Sequence, residues 1–202
     1  MEKKEALQRI KKIIGQDLRS LAQQLEIDVF INGKKNKGWA GHVIERYLCL
    51  PLNSAQSPNL GSWELKTISL KRLRNGEVTV KETMAITMID PYNVARTTFA
   101  ESHLKNKLQK TILVARMWEG QSEPRSELYG VYEFKLTDRE IYARVEADYN
   151  LVRDTIIEKG FEYLTGRMGV YIQPRTKGPG HGSTSRAFYA RTGFLKKIIG
   201  LS

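Results

Sequence analysis

Residues 63–89, WELKTISLKRLRNGEVTVKETMAITMI, decide the fold class. Asn75-Gly76 lies between two runs rich in Val, Ile and Thr, and Asn-Gly flanked by such runs is a strong hairpin signal. WELKTISLKRL therefore reads as one strand, and EVTVKETMAITMI continues the sheet beyond the turn. Two later runs, TILVARMW (111–118) and ELYGVYEFKL (127–136), read as further strands. GVYIQPRTKG (169–178) is a strand running into a basic, glycine-rich loop, and AFYARTGFLKKII (187–199) is a strand followed by a helix.

Helical spacing surrounds these strands. In residues 2–14, Leu7, Ile10, Ile13 and Ile14 share one face, and Gly15 stops the run. A shorter helix from Asp17 to about Leu25 buries Leu18, Leu21 and Leu25, and the basic loop INGKKNKG follows. Trp39, Val43, Ile44, Tyr47 and Leu48 form a helical stripe from Trp39 to about Leu50. Glu101 to Lys110 reads as a short basic helix. Thr137 and Glu140 have the spacing of a capping box. They open a long helix with the stripe Ile141, Val145, Tyr149, Val152 and Ile156, which Gly160 ends. Helices flanking a mixed central sheet give an α/β (α+β) class. At 202 residues the chain suits one domain over 1–202, built as two lobes.

Charge narrows the function. Lys and Arg number 33 against 22 Asp and Glu, a net charge of +11, and the pI is near 9.7. Such a balance is the electrostatic footprint of a nucleic-acid partner. Cys49 is the one cysteine, so an internal disulfide is excluded and a reducing, cytoplasmic compartment is expected. No apolar run reaches the roughly 18 residues of a membrane span, and MEKKEALQRIKK lacks the apolar core of a secretory signal, so no membrane partner is expected.

The chemistry is expected on the first strand. Side chains alternate along a strand, so Glu64 and Lys66 point to one face. A carboxylate beside a lysine suits phosphodiester hydrolysis. The carboxylate can hold Mg²⁺, which prefers oxygen ligands, and the lysine can orient or help deprotonate the attacking water. The carbonyl of Leu65, between them, is a further candidate metal ligand. Taken alone, Glu-x-Lys is a weak signal that any solvated strand face can carry.

Five blocks strengthen it by their order: KGWAGHVIERYL (37–48), WELKTI (63–68), ESHLKNKLQK (101–110), YIQPRTKG (171–178) and RAFYARTGFLKK (186–197). Together they resemble the MutH family of DNA endonucleases, which includes mismatch-repair nicking enzymes and GATC-cutting type II restriction enzymes. The resemblance implies a restriction-endonuclease-like core, two lobes clamping duplex DNA, and Mg²⁺-dependent hydrolysis through an Asp…Glu-x-Lys motif. It maps Glu64 and Lys66 onto that Glu and Lys, Glu45 onto a helix glutamate supporting the metal site, and Lys107 onto a lysine near the scissile phosphate. The departure is the first acid. A four-residue gap puts Asn59 there, as catalytic residue and metal ligand; a longer gap puts Gln56 or Ser57 there. No choice supplies a carboxylate, since residues 46–63 contain neither Asp nor Glu. A neutral amide binds a hard cation less well and balances the developing phosphate charge less well, so cutting is expected to be impaired.

Recognition is expected from the C-terminal blocks. Arg and Lys can bond guanine, and Gln can bond adenine, along the major groove. Gln173, Arg175, Lys177 and Arg186 supply such groups, with Tyr189 near the bases. In the family the segments matching QPRTKG and RAFY read bases and contact phosphates. Sequence-blind phosphate binding is the plainer alternative. Lys34, Lys35 and Lys37 look like backbone contacts that act through counterion release. Three functions follow in order: a type II restriction endonuclease, a mismatch-repair nicking enzyme needing a MutL partner, and a DNA-binding module without catalysis. One active site cuts one strand, so a double-strand break needs a homodimer on DNA or two visits.

Overall fold

The computed structural model describes residues 1–50, 58, 60–178 and 184–201. Asn59, Gln56, Ser57 and the middle of the glycine-rich loop lie outside the described residues. In chain order the elements begin with α1 (Lys3–Lys12), α2 (Leu18–Gln24), β1 (Phe30–Ile31), β2 (Lys34–Lys35) and α3 (Trp39–Tyr47). Then come β3 (Glu64–Arg72), β4 (Val78–Val80), β5 (Met84–Met88), α4 (Pro91–Arg96) and α5 (His103–Leu108). β6 (Lys110–Met117), β7 (Leu128–Lys135) and α6 (Arg139–Glu158) follow. The chain closes with β8 (Ile172–Thr176), β9 (Arg186–Ala190) and α7 (Thr192–Ile199). The mixed α+β class expected from the sequence is the class observed.

The chain divides into two compact units, Met1–Lys81 with Thr111–Phe134, and Glu82–Lys110 with Lys135–Ser202. The first unit holds a mixed sheet in the order β4-β3-β6-β7. β3 runs antiparallel to β4 and parallel to β6, where Glu64 opposes Thr111 and Lys66 opposes Leu113. The Asn75-Gly76 turn joins β3 to β4 as expected: Gly76 takes φ +86°, and the Asn75 side chain accepts the Glu77 N–H at 3.1 Å. α1, α2 and α3 bury Ile10, Leu18, Trp39, Val43 and Ile44 in one cluster with Leu65, Ile112 and Val114 of the sheet. The basic segment read as a loop contains a two-strand ribbon, Phe30 opposite Lys35 and Ile31 opposite Lys34.

The second unit has a three-stranded antiparallel sheet in the order β5-β9-β8. EVTVKETMAITMI therefore serves both sheets, β4 in the first and β5 in the second. α6 packs against β8. Tyr149 on α6 sits 5.8 Å from Phe188 of β9 and 5.7 Å from Phe99, ring centre to ring centre. The cap of α6 falls one residue later than its sequence pattern indicated: Asp138 accepts the Ile141 N–H at 2.9 Å. Asp outranks Thr as an N-cap because its charged oxygen is the stronger acceptor.

Candidate functional site

β3 carries Glu64 and Lys66 on one face, as alternation requires. Their side chains meet, with Lys66 Nζ 2.9 Å from Glu64 Oε1. Glu64 is only 2% exposed, while Lys66 keeps partial access to solvent. Leu65 points the opposite way into the apolar cluster, so only its carbonyl can serve a site on this strand. α3 packs on β3; Gly41 approaches Thr67, and Glu45, one helical turn further, is half-buried on α3.

A hard cation needs several converging oxygens. Glu64 and the Leu65 carbonyl are donors of the right chemistry, and a buried carboxylate on a rigid strand suits Mg²⁺. Among the described residues no group of three His, Cys, Asp or Glu converges. Among the described residues the donor set thus fits the metal in kind and is short of acids in number.

A second charged cluster in the same unit escaped sequence reading. Glu123, in the loop between β6 and β7, is fully buried at φ +42°. It accepts from Lys35, from Arg116 at 3.0 Å and from the Trp39 indole at 2.9 Å. Burial works to raise its carboxyl, but the bonds and charges of Lys35 and Arg116 outweigh burial and hold it below the usual glutamate value. Lys35, half-buried, is thereby committed to Glu123, whereas Lys34 and Lys37 are exposed. Nothing in the loop sequence EGQSEPRSE marks Glu123, because its partners lie far along the chain.

The remaining expected residues lie in the second unit. Lys107 is half-buried on α5. On β8, Gln173 opposes Tyr189, and Arg175 opposes Ala187. Gln173 and Arg175 share one face of the sheet with Tyr189, because opposed residues point the same way. Gln173 is 5% exposed, while Arg175 is exposed. The Arg175 guanidinium lies 5.6 Å above the Tyr189 ring and donates to Thr83 Oγ1 at 2.7 Å. Burial pushes the Tyr189 phenol upward, and the Arg175 charge opposes it, so Tyr189 stays a neutral donor at physiological pH. Lys177 is exposed just beyond β8. Arg186 is spent partly on the fold, donating to the Glu162 carbonyl at 3.2 Å and to Thr176 Oγ1 at 3.3 Å.

The first unit thus holds a carboxylate–lysine pair on a central strand, and the second a basic, aromatic sheet face. Residues 49–142 match the family model described as DNA mismatch repair enzyme MutH. The chain is 25% identical over 211 residues to the DNA mismatch repair protein MutH of Vibrio vulnificus (strain YJ016), covering 96% of this chain and 91% of the relative. It is 28% identical over 197 residues to that of Histophilus somni (strain 2336), covering 96% and 84%. A solved complex of the restriction endonuclease MvaI with its cognate DNA aligns over 90% of this chain and 95% of that one, at 13% identity and a TM-score of 0.38. At that level the alignment does not define the fold. The chain is thus similar to MutH proteins over most of its length, and to the MutH family model over residues 49–142. Among the described residues no helix is long and apolar enough to cross a membrane.

Proposed function

We propose that the protein is a Mg²⁺-dependent, sequence-specific endonuclease of duplex DNA whose cutting is impaired by Asn59. The observation that carries this reading is the Glu64–Lys66 pair, a nearly buried carboxylate held at 2.9 Å by a partly accessible lysine on a central strand. Glu64, the Leu65 carbonyl and Asn59 would hold the metal. When bound, it would activate water and neutralise charge on the phosphate. Lys66 would orient the nucleophile and stabilise the negative charge that grows beside it. Glu45 and Lys107 keep the supporting roles that the family resemblance implies.

Arg175 and Tyr189, on the shared face of β8 and β9, would read bases, with Lys177 and Arg186 on the backbone. Gln173 is buried, and its amide would serve the sheet before it served DNA. Lys37 and Lys34 would contact phosphates. The names of the relatives favour mismatch repair over restriction, and the RTKG and RAFY segments keep the restriction branch in view. Methylated and unmethylated GATC substrates separate the two branches.

The test is plasmid nicking with Mg²⁺ in an Asn59→Asp background, with and without Glu64→Ala. The expected outcome is abolished cutting with retained DNA binding in the Glu64→Ala protein. Loss of binding together with cutting would make Glu64 a structural residue.

A further inference from the structure

We infer that Asp148 and Arg191 clamp the lead into β8 from two sides and are positioning residues for base reading, an inference that rests on the reading of β8 and β9 proposed above. Asp148 lies on the buried stripe of α6, three residues after Val145 and four before Val152, and is 3% exposed. Its Oδ1 accepts the Val170 N–H at 2.8 Å. Its Oδ2 accepts those of Tyr171 at 2.7 Å and Ile172 at 2.8 Å. Three successive amides thus converge on one carboxylate, the kind of charge-assisted donor set that fixes a backbone tightly.

Arg191 takes the carbonyls of the same segment. Its Nη2 donates to Gly166 O and Met168 O, both at 2.9 Å, and its backbone N–H donates to Tyr171 O at 2.8 Å. Between these anchors, Gly169 has φ +72°, and a Cβ there would stand 1.9 Å from Ile172 O. The turn therefore has one conformation, set by a helix on one side and by the residue after β9 on the other. Ile172, the first residue of β8, is three positions before Arg175, and the register with β9 is unbroken from Ile172 to Thr176. A displacement at Ile172 is passed along the strand to Arg175, because a paired strand has no slack along its length. The Asp148 carboxylate is taken up by backbone amides and Arg191 Nη2 by two carbonyls, so their proposed influence on DNA runs through Arg175 rather than through contact.

The experiment measures affinity for the duplex that this chain enriches from a randomised pool, and for the same duplex scrambled, across a range of salt. Asp148→Asn, Arg191→Lys and Arg175→Ala are compared, each corrected for its folded fraction. Asp148→Asn turns an N–H donor toward amides that need an acceptor. Arg191→Lys keeps the charge but loses the fork, and it carries the test if Asp148→Asn fails to fold. The expected result is a roughly tenfold loss on the selected duplex for both clamp variants, with scrambled-duplex affinity and salt slope unchanged. A parallel loss on both duplexes, or no loss in folded protein, would overturn the clamp. If Arg175→Ala is selective and the clamp variants are not, only the clamp falls. If Arg175→Ala itself loses affinity equally on both, or no duplex is enriched, the base-reading proposal fails and takes the clamp with it.

Discussion

Each unit buries a carboxylate outside the residues proposed to cut and to read, and the two are satisfied in different ways. Glu123 in the first unit is surrounded by cations, Lys35 and Arg116, with the Trp39 indole as a further donor. Among the described residues, Asp148 in the second accepts three successive backbone amides. A charge matched by charges holds elements together, here the β1–β2 ribbon, the start of α3 and the β6–β7 loop. A charge matched by successive amides holds one stretch of backbone in one place. The first arrangement protects stability around the candidate cutting strand, and the second protects the position of the candidate reading strand.

Substitutions can break that contrast. The largest expected effect on stability is that of Glu123→Gln, which leaves two buried or half-buried cations without their counter-charge. It should cost roughly 3 kcal/mol, read from chemical unfolding. It should also flatten the acid limb of the stability profile. The folded-state value of Glu123 lies below its ordinary one, so its stabilisation is complete above the ordinary carboxylate range and drains as pH falls toward the folded value. An unchanged acid limb in the variant would mean that Glu123 is not the charge the cluster depends on.

Arg175→Ala sharpens the other side. It should cost about 1–3 kcal/mol on the preferred sequence and little on others, with the melting temperature unmoved. A uniform loss would make Arg175 a phosphate contact. The smallest effect is expected at Lys37, where Lys37→Ala should weaken all duplexes alike and lower the salt slope by about 0.9. Lys35→Ala, by contrast, should leave the slope unchanged and destabilise the fold, because Lys35 is already paired with Glu123.

The sequence revealed much of this, wherever the cause was local. The Asn75-Gly76 hairpin, the strand alternation of Glu64 and Lys66, and the stripes of α1, α3 and α6 depend on neighbours a few residues away. The division of EVTVKETMAITMI between two sheets was hidden, since periodicity does not say which partner a strand chooses. Thr98 and Glu101 form a capping box on the short turn before α5, a pairing with the same spacing as Thr137 and Glu140. Asp148 did leave a signal: an acid on the apolar stripe of α6, where a charge must be paired or bonded. Glu123 left none, because its partners Lys35, Trp39 and Arg116 are brought to it only by the fold.

We propose a cutting strand disarmed by one missing acid. Its most direct test is Mg²⁺-dependent cleavage of supercoiled plasmid carrying GATC sites, comparing this chain with its Asn59→Asp variant at equal DNA occupancy. The expected result is strong nicking or linearisation by the aspartate variant and little or none by the chain as it stands. Equal cutting by both would show that Asn59 is not the missing ligand, and no cutting by either on DNA that both bind would contradict the catalytic assignment of Glu64 and Lys66.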